Sequence, residues 1–117
     1  MGIRTEKLND VVIVQTEGML KGDKETQQLE HELRRLLEVP QRKILLDLGN
    51  TSHMNSIAIG VVTGVHTSAA NRGSHFYVCN VERRISNVLT ILKLVNVLNV
   101  FDTREDALAA FAKLPPS

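Results

Sequence analysis

The feature that most constrains this chain is a segment that runs from a short apolar strand, through a polar turn, into a helix. The run from Ile44 to Leu48 is apolar and is ended by Gly49-Asn50. Such a run is typical of a strand buried on both faces in a sheet that helices cover. After a polar turn, apolar residues recur at helical spacing from Ile57 onward. The segment therefore predicts a central strand followed directly by a helix.

The start of this helix is predicted at Ser56, which is expected to act as its N-cap because a serine hydroxyl accepts a hydrogen bond from a first-turn amide. The helix is expected to run to about Ala70, with Asn71-Arg72-Gly73 as its C-terminal signal. A hydroxyl at a helix N-terminus, just past the carboxyl end of a buried strand, lies where anions are stabilised. Ser56 is therefore a candidate phosphoserine.

The residues around Ser56 are unusually apolar for a turn. Helical spacing is expected to bury Ala58, Val61, Val62 and Val65, which leaves Ile57 or Ile59 pointing outward. A small apolar patch around a polar anchor suggests a surface that binds a partner. The alternative is that a neighbouring helix covers the patch. The candidate partner-binding residues are Met54, Asn55, Ser56, Ile57 and Ile59.

The amino-terminal part of the chain is predicted to form two strands before the first helix. The β-branched run Val11 to Val14 indicates a strand, with Ile3 to Lys7 as a short partner strand that turns at Asn9-Asp10. Gly18 and Gly22 are expected to lie in a loop.

The first helix is predicted from Asp23 or Thr26 to about Glu38, before Pro40 stops it. Its buried face at helical spacing consists of Leu29, Leu33, Leu36 and Leu37. A buried strand is expected over Ser74 to Asn80. The apolar stripe of a third helix follows it at Val81, Ile85, Val88, Leu89 and Leu92.

The carboxyl-terminal part is predicted to add a short edge strand, Asn99 to Phe101, and a last helix. Thr103 to Asp106 resembles a capping box, and the buried face of this helix is expected to be Ala107, Leu108 and Phe111. Strands that alternate with about four helices indicate an α/β fold with a mixed central sheet. At 117 residues, the chain is expected to form one domain over residues 1–117, with 113–117 as a loose tail.

Composition excludes several classes of function. The net charge of +1 and the few aromatic residues give no footprint for nucleic acid, so no nucleic-acid partner is expected. No apolar run is long enough to cross a bilayer and no signal peptide is evident, so no membrane partner is expected either. The single cysteine, Cys79, lies in an apolar run and reads as a buried small residue. The protein is therefore expected to be cytoplasmic.

The search for catalytic chemistry gives little. The chain has no glycine-rich nucleotide loop and no nucleophile elbow, and its histidines are not spaced as metal ligands. Asp47 at the end of the central strand either orients a ligand or caps the following turn. His53 near Ser56 reads as a surface residue rather than a base. Neither an enzyme nor a cofactor nor a metal site is expected.

The segment Met54-Asn55-Ser56-Ile57-Ala58-Ile59-Gly60, after Asp47-Leu48, resembles a signature close to Met-Asp-Ser-Ser-Gly-Leu-Gly. That signature belongs to the STAS domain, and in particular to the stand-alone bacterial anti-sigma factor antagonists. Val78 to Val81, Glu82 to Val100 and Thr103 to Leu108 are similar to the segments that follow it in the family. The resemblance covers nearly the whole chain, and it is strongest from Lys43 onward.

This resemblance implies a STAS-like fold and a phosphorylation switch. In the family, the serine that matches Ser56 is phosphorylated by an anti-sigma factor that is also a serine kinase. The unphosphorylated form binds that kinase and frees the sigma factor, and a serine phosphatase reverses the block. ATP and magnesium belong to the partner, so the chain itself is not an enzyme.

The signature departs from the family pattern at three positions. Asn55 replaces an acidic residue, Ile57-Ala58 replaces Ser-Gly, and Lys21 lies near where the family often has Asp. These changes leave a second hypothesis open, a STAS domain that is never phosphorylated and acts as a scaffold or binds a small ligand in a stress-signalling assembly.

Overall fold

The computed structural model describes residues 2–95 and 97–115. Within them, strands and helices alternate after an initial pair of strands. In chain order the elements are β1 (Ile3–Leu8), β2 (Val11–Leu20), α1 (Lys24–Leu36), β3 (Lys43–Met54), α2 (Ser56–Asn71), β4 (His75–Cys79), α3 (Arg83–Ile91), β5 (Asn99–Phe101) and α4 (Arg104–Ala112).

The strands form a five-stranded sheet in the order β1-β2-β3-β4-β5. β1 runs antiparallel to β2, whereas β2, β3, β4 and β5 are parallel to one another. Parallel neighbours cannot be joined by a tight turn, and α1, α2 and α3 supply the three crossovers. The mixed sheet and its helices confirm the predicted α/β fold, with β5 at one edge as expected.

The central strand, β3, is longer than its sequence predicts. It continues through Gly49 and Asn50 to Met54 because β2 also extends, to Leu20, and stays paired with it. The expected turn at Gly49-Asn50 is therefore wrong, and so is the expected loop at Gly18, which lies inside β2. Pairing with a neighbouring strand outweighs the low strand propensity of these residues.

The extended part of the β2–β3 pair is irregular in register, but a hydrogen bond between buried side chains joins the two strands there. Its register shifts between Gln15 and Glu17 and again after Gly18. The buried hydroxyls of Thr16 and Thr51 hydrogen-bond to each other across the two strands. These contacts carry the two strands toward the start of α2, where the sequence places its candidate residues.

The core occupies both faces of the sheet. α1, α2 and α3 cover one face, to which they contribute Leu29, Leu33, Val62, Val65, Ile85 and Leu89, among others. α4 covers the other face, where Ala107 and Phe111 pack with Val11, Ile13, Leu45 and Cys79. The central strand is thus buried on both sides, as its apolar run predicts.

Asp47, inside β3, joins this strand to α4. Its carboxylate is 3% exposed and accepts hydrogen bonds from Arg104, with Nε at 3.0 Å and Nη2 at 2.9 Å. It also accepts bonds from the Gly49 amide at 2.9 Å and from Asn80 Nδ2 at 3.2 Å. Arg104 reaches on to Glu6 of β1 at 2.9 Å. Because β3 continues past Leu48, Asp47 has no turn to cap. Its carboxylate instead accepts the Gly49 amide within the strand and forms an ion pair with Arg104.

The apolar stripe predicted for α3 is only partly buried. Ile85 and Leu89 face the core, but Val88 is 37% exposed and Leu92 is 50% exposed. The helix ends at Ile91 with Leu92 as its C-cap, and Lys93 adopts a left-handed conformation with a φ of 60°. The chain therefore turns, and the Leu94 amide donates a hydrogen bond to the Leu89 carbonyl at 2.8 Å. As a result, Leu94 rather than Leu92 packs on the core.

α4 begins and ends as local signals dictate. The Thr103 hydroxyl accepts a hydrogen bond from the Asp106 amide at 3.0 Å, which confirms the predicted cap. Beyond the helix, Leu114 packs against the core on the α4 side of the sheet, so the expected tail over 113–117 is anchored at this point. Pro116 and Ser117, at the end of that expected tail, lie outside the described residues.

Candidate functional site

The candidate site lies where β3 ends and α2 begins. Asn55, in an extended conformation between the two elements, is the N-cap of α2. Its side-chain Oδ1 accepts a hydrogen bond from the Ala58 amide at 3.1 Å, and its Nδ2 donates one to the Lys21 carbonyl at 2.7 Å. Its own amide donates to the Leu20 carbonyl at 3.1 Å. Asn55 thus ties the helix start to the end of β2.

The prediction that Ser56 caps α2 is therefore wrong. Asparagine and serine are comparably good N-caps. Asn55 is the cap here because its side-chain amide also donates a hydrogen bond to the Lys21 carbonyl, just past the end of β2. Ser56 is the first residue of the helix and is exposed. Its hydroxyl has no hydrogen-bond partner among the described residues, so it does not stabilise the start of the helix.

Ile57 is the exposed apolar residue of the site. Its side chain is 58% exposed and lies over Gly22, so close that a Cβ at residue 22 would fall 2.8 Å from its Cδ1 atom. Gly22 also has a φ of +83° and donates its amide to Thr26 Oγ1 at 2.9 Å. Glycine is needed there both for the backbone and for the contact. Ile57 is consequently held on the surface by the β2–α1 turn.

Two of the candidate partner-binding residues are buried. Met54 is 5% exposed as the last residue of β3, and Ile59 is 3% exposed in the first turn of α2. Ile59 joins the buried face of α2, which consists of Ala58, Ile59, Val62, Val65 and Ala69. These two side chains are unavailable for direct contact, and Ile57 alone provides the outward apolar contact. The outward surface, named here the Ser56 face, consists of the half-buried Asn55 and the exposed residues Ser56, Ile57, Gly60 and Lys21.

The electrostatics of the Ser56 face favour an anion. The first turn of α2 contains no acidic residue, and its free amides carry the partial positive charge of a helix N-terminus. Lys21 is exposed, and its carbonyl is hydrogen-bonded to Asn55. In the sequence, Lys21 stands out only as a departure from the family pattern, and nothing there predicts that it lies beside the start of α2. Its proximity to the helix start follows from the extension of β2.

The cap can be tested by its effect on stability. Replacing Asn55 by Ala removes the N-cap bond and the bond to the Lys21 carbonyl, so we expect the free energy of unfolding to fall by about 1–2 kcal/mol. The measurement is urea unfolding followed by circular dichroism. Ser56→Ala is the matched control and should change stability by less than about 0.5 kcal/mol. An equal loss in both variants would mean that the serine contributes to the cap.

Other groups with reactive potential do not join the site. Cys79 is buried on the α4 side of the sheet, and burial, with a smaller effect of Asp47, raises the pKa of its thiol to about 12. The thiol therefore stays protonated at neutral pH. Across residues 2–95 and 97–115, no three His, Cys, Asp or Glu side chains are grouped so as to hold a metal ion. None of the described helices has the length and apolar character needed to cross a membrane.

Comparisons with known proteins agree with this architecture. A family model described as the STAS domain matches residues 2–107. BtrV of Bordetella bronchiseptica, which is named as a putative anti-sigma factor antagonist, is 25% identical over 116 residues, which covers 99% of each chain.

Solved structures that match this chain share its fold. An anti-sigma factor antagonist (STAS) domain protein from Planctomyces limnophilus has a TM-score of 0.85 at 21% identity, over 97% of this chain and 100% of that one. The anti-sigma factor antagonist SpoIIAA in its unphosphorylated form has a TM-score of 0.71 at 17% identity, with the same coverage.

Proposed function

The chain belongs to the STAS domain family, and from that premise we propose that it is an anti-sigma factor antagonist that is switched by phosphorylation of Ser56. Unphosphorylated, it binds an anti-sigma factor that is also a serine kinase. Phosphorylation releases that partner, and a serine phosphatase restores binding. The relatives named as antagonists, BtrV among them, support this role.

The observation that carries the proposal is the division of roles between Asn55 and Ser56. Asn55 holds the helix start through both ends of its amide group. The Ser56 hydroxyl is exposed and not needed for the cap. A phosphate can therefore be added to it without the loss of any hydrogen bond that stabilises the fold.

The physical basis of the switch is the different response of the fold and of the interface to the same charge. A phosphate adds about −1.5 to −2 charges. At the start of α2 the helix dipole stabilises this charge, so the domain stays folded. In the complex, Ile57 places an apolar contact next to the serine. A buried dianion at that position must lose its water, which costs binding energy.

In this proposal the chain is a substrate and a binding module rather than an enzyme. The kinase partner supplies ATP and magnesium, and the phosphatase supplies the hydrolytic site. The exchange takes place in the cytoplasm, where the kinase finds ATP. The contacts of the partner are with Asn55, Ser56 and Ile57, while Met54 and Ile59 support that surface from beneath.

The test is phosphorylation by the cognate kinase in a purified system. The kinase is captured from a lysate of the source organism on the immobilised protein, identified by mass spectrometry and purified. With ATP and magnesium, the wild-type protein should gain one phosphoryl group, located at Ser56 by peptide mapping. Ser52→Ala is the matched control, because Ser52 is exposed on the same segment, and it should be modified like the wild type. Ser56→Ala should gain nothing.

Modification at Ser52 or elsewhere, or stable binding of the kinase without any phosphoryl transfer, would contradict the switch. The scaffold hypothesis makes the opposite prediction. Large stable homo-oligomers, or a co-purified nucleotide or lipid, would favour it, and it expects no mass change at Ser56.

A further inference from the structure

The segment from Arg83 to Phe101 has an unusual surface. It contains no acidic residue, whereas Arg83, Arg84 and Lys93 are basic. Large apolar side chains are exposed along it, namely Val88 at 37%, Ile91 at 77%, Leu92 at 50%, Val95 at 39% and Val97 at 47%. Single exposed apolar residues are ordinary, but a run of them on one short segment is typical of an interaction site.

A groove lies beside this segment, between α3 and the extended end of the β2–β3 pair. It has a volume of about 570 Å³. Its exposed apolar side chains are Met19 and Val88, and the nearly buried Met54 lies at its base. Lys21, His53 and Arg84 are its basic and imidazole groups. No acidic residue lines it. We name the groove together with the exposed side chains of Val88, Ile91 and Leu92 the α3 face.

The basic groups of the α3 face remain available for a partner. Arg84 is 87% exposed, and its contact with Glu82 is long, at 3.4 Å. An exposed ion pair of this kind contributes little free energy, so a better-placed carboxylate can replace it. Lys21 is bonded in the site only through its backbone carbonyl, and its side chain lines the groove.

We propose that the α3 face docks an acidic amphipathic helix of a protein partner. The spacing of Arg84, Val88, Ile91 and Leu92 along α3 is helical, and two helices pack by laying such rows against each other. The apolar side of the incoming helix covers Val88 and Ile91. Its carboxylates approach Lys21 and Arg84, since charge complementarity selects acidic sequences over basic ones.

Two other occupants fit the α3 face less well. A second copy of the chain in a two-fold dimer brings the same patch onto itself, so Arg84 and Lys93 would meet like charges. A bilayer surface is flat on this scale and would touch the exposed Val88 and Ile91 without filling the groove between α3 and the β2–β3 pair. Docking at the α3 face does not require the Ser56 hydroxyl, so it goes beyond the proposed switch.

The test uses the purified protein and synthetic helical peptides. One peptide has leucine on one face and glutamate on the other, and its matched counterpart has lysine for every glutamate. By fluorescence anisotropy, the acidic peptide should bind at least about 10-fold more tightly than the basic one, and the preference should shrink as salt rises. Amide shifts in NMR spectra should be concentrated in residues 19–21 and 84–92.

Variants separate the charge from the apolar contribution. Arg84→Glu and Ile91→Asp lie on exposed positions and should leave the fold intact. Each should lower the affinity for the acidic peptide by about 10-fold, which corresponds to about 1.4 kcal/mol of binding free energy. Lys113→Glu is the matched control, because Lys113 follows α4 on the opposite side of the sheet. It should bind like the wild type.

The proposal is overturned if both peptides bind equally, if neither binds, or if the shifts lie on another surface. It is also overturned if vesicles containing phosphatidylserine bind the α3 face and the acidic peptide does not, or if sedimentation shows a dimer that Ile91→Asp abolishes. None of these outcomes touches phosphorylation at Ser56, and a Ser56 that gains no phosphate leaves the peptide result intact.

Discussion

Replacing Ser56 by Asp is expected to lower the affinity of the protein for its anti-sigma partner by about 100-fold or more, which corresponds to at least about 2.7 kcal/mol. The physical reason is the position of the charge. Ser56 lies beside the exposed Ile57, so a carboxylate there must be desolvated in the complex. Titration calorimetry with the purified anti-sigma partner, which the proposed switch takes to be a serine kinase, measures the change. Phosphoserine installed at the same position should have at least as large an effect, because its charge is greater.

The controls for this prediction keep the fold and the interface separate. Ser56→Ala should bind within about 3-fold of the wild type, since the hydroxyl makes no hydrogen bond among the described residues. Ser56→Asp should be as stable as the wild type, because an acidic residue in the first turn of α2 interacts favourably with the helix dipole. Equal affinities for the Ala and Asp variants would contradict the switch, whereas a destabilised Asp variant would contradict the account of the helix start.

Replacing Arg104 by Met is expected to reduce the free energy of unfolding by about 2–4 kcal/mol. The side chain of Asp47 is 4% exposed and would keep only its bonds from Gly49 and Asn80. A buried carboxylate that has lost its cation destabilises the folded state. The expected loss lies below the upper end of the range for fully buried ion pairs, because Arg104 is 27% exposed and water can solvate the Asp47 carboxylate in its place. Urea unfolding followed by circular dichroism measures it.

Two further variants test whether the loss of stability comes from the unpaired carboxylate of Asp47. Glu6→Gln removes the outer contact of Arg104 at a side chain that is 56% exposed, and it should cost less than about 1 kcal/mol. Adding Asp47→Asn to Arg104→Met should recover about 1 kcal/mol or more, because the amide carries no charge and still accepts from Gly49. No recovery in the double variant would assign the loss to packing instead.

The order and type of the elements could be predicted because their signals are local. The β-branched run of β2, the leucines of α1 and the capping threonine of α4 each depend on residues within a few positions of one another. The exposed position of Ser56 at a helix start also follows from its place between an apolar strand and an apolar helix. Local periodicity determines which face a residue takes within its element.

What could not be predicted depends on partners distant in the sequence. The Lys21 carbonyl makes Asn55 rather than Ser56 the anchor of α2, across 34 positions. Arg104 finds Asp47 across 57 positions. Met54 is buried because β3 runs on beside β2, and Leu92 is exposed because the turn at Lys93 brings residue 94 to the core.

The sequence by itself therefore determined the α/β arrangement and the place of a serine at the start of a helix, because short-range hydrophobic spacing encodes both. Only the tertiary structure decided which neighbour caps that helix, which apolar side chains reach solvent and where the α3 groove opens. Those outcomes depend on how far β2 and β3 stay paired and on where separate elements meet, and contacts between distant residues set both.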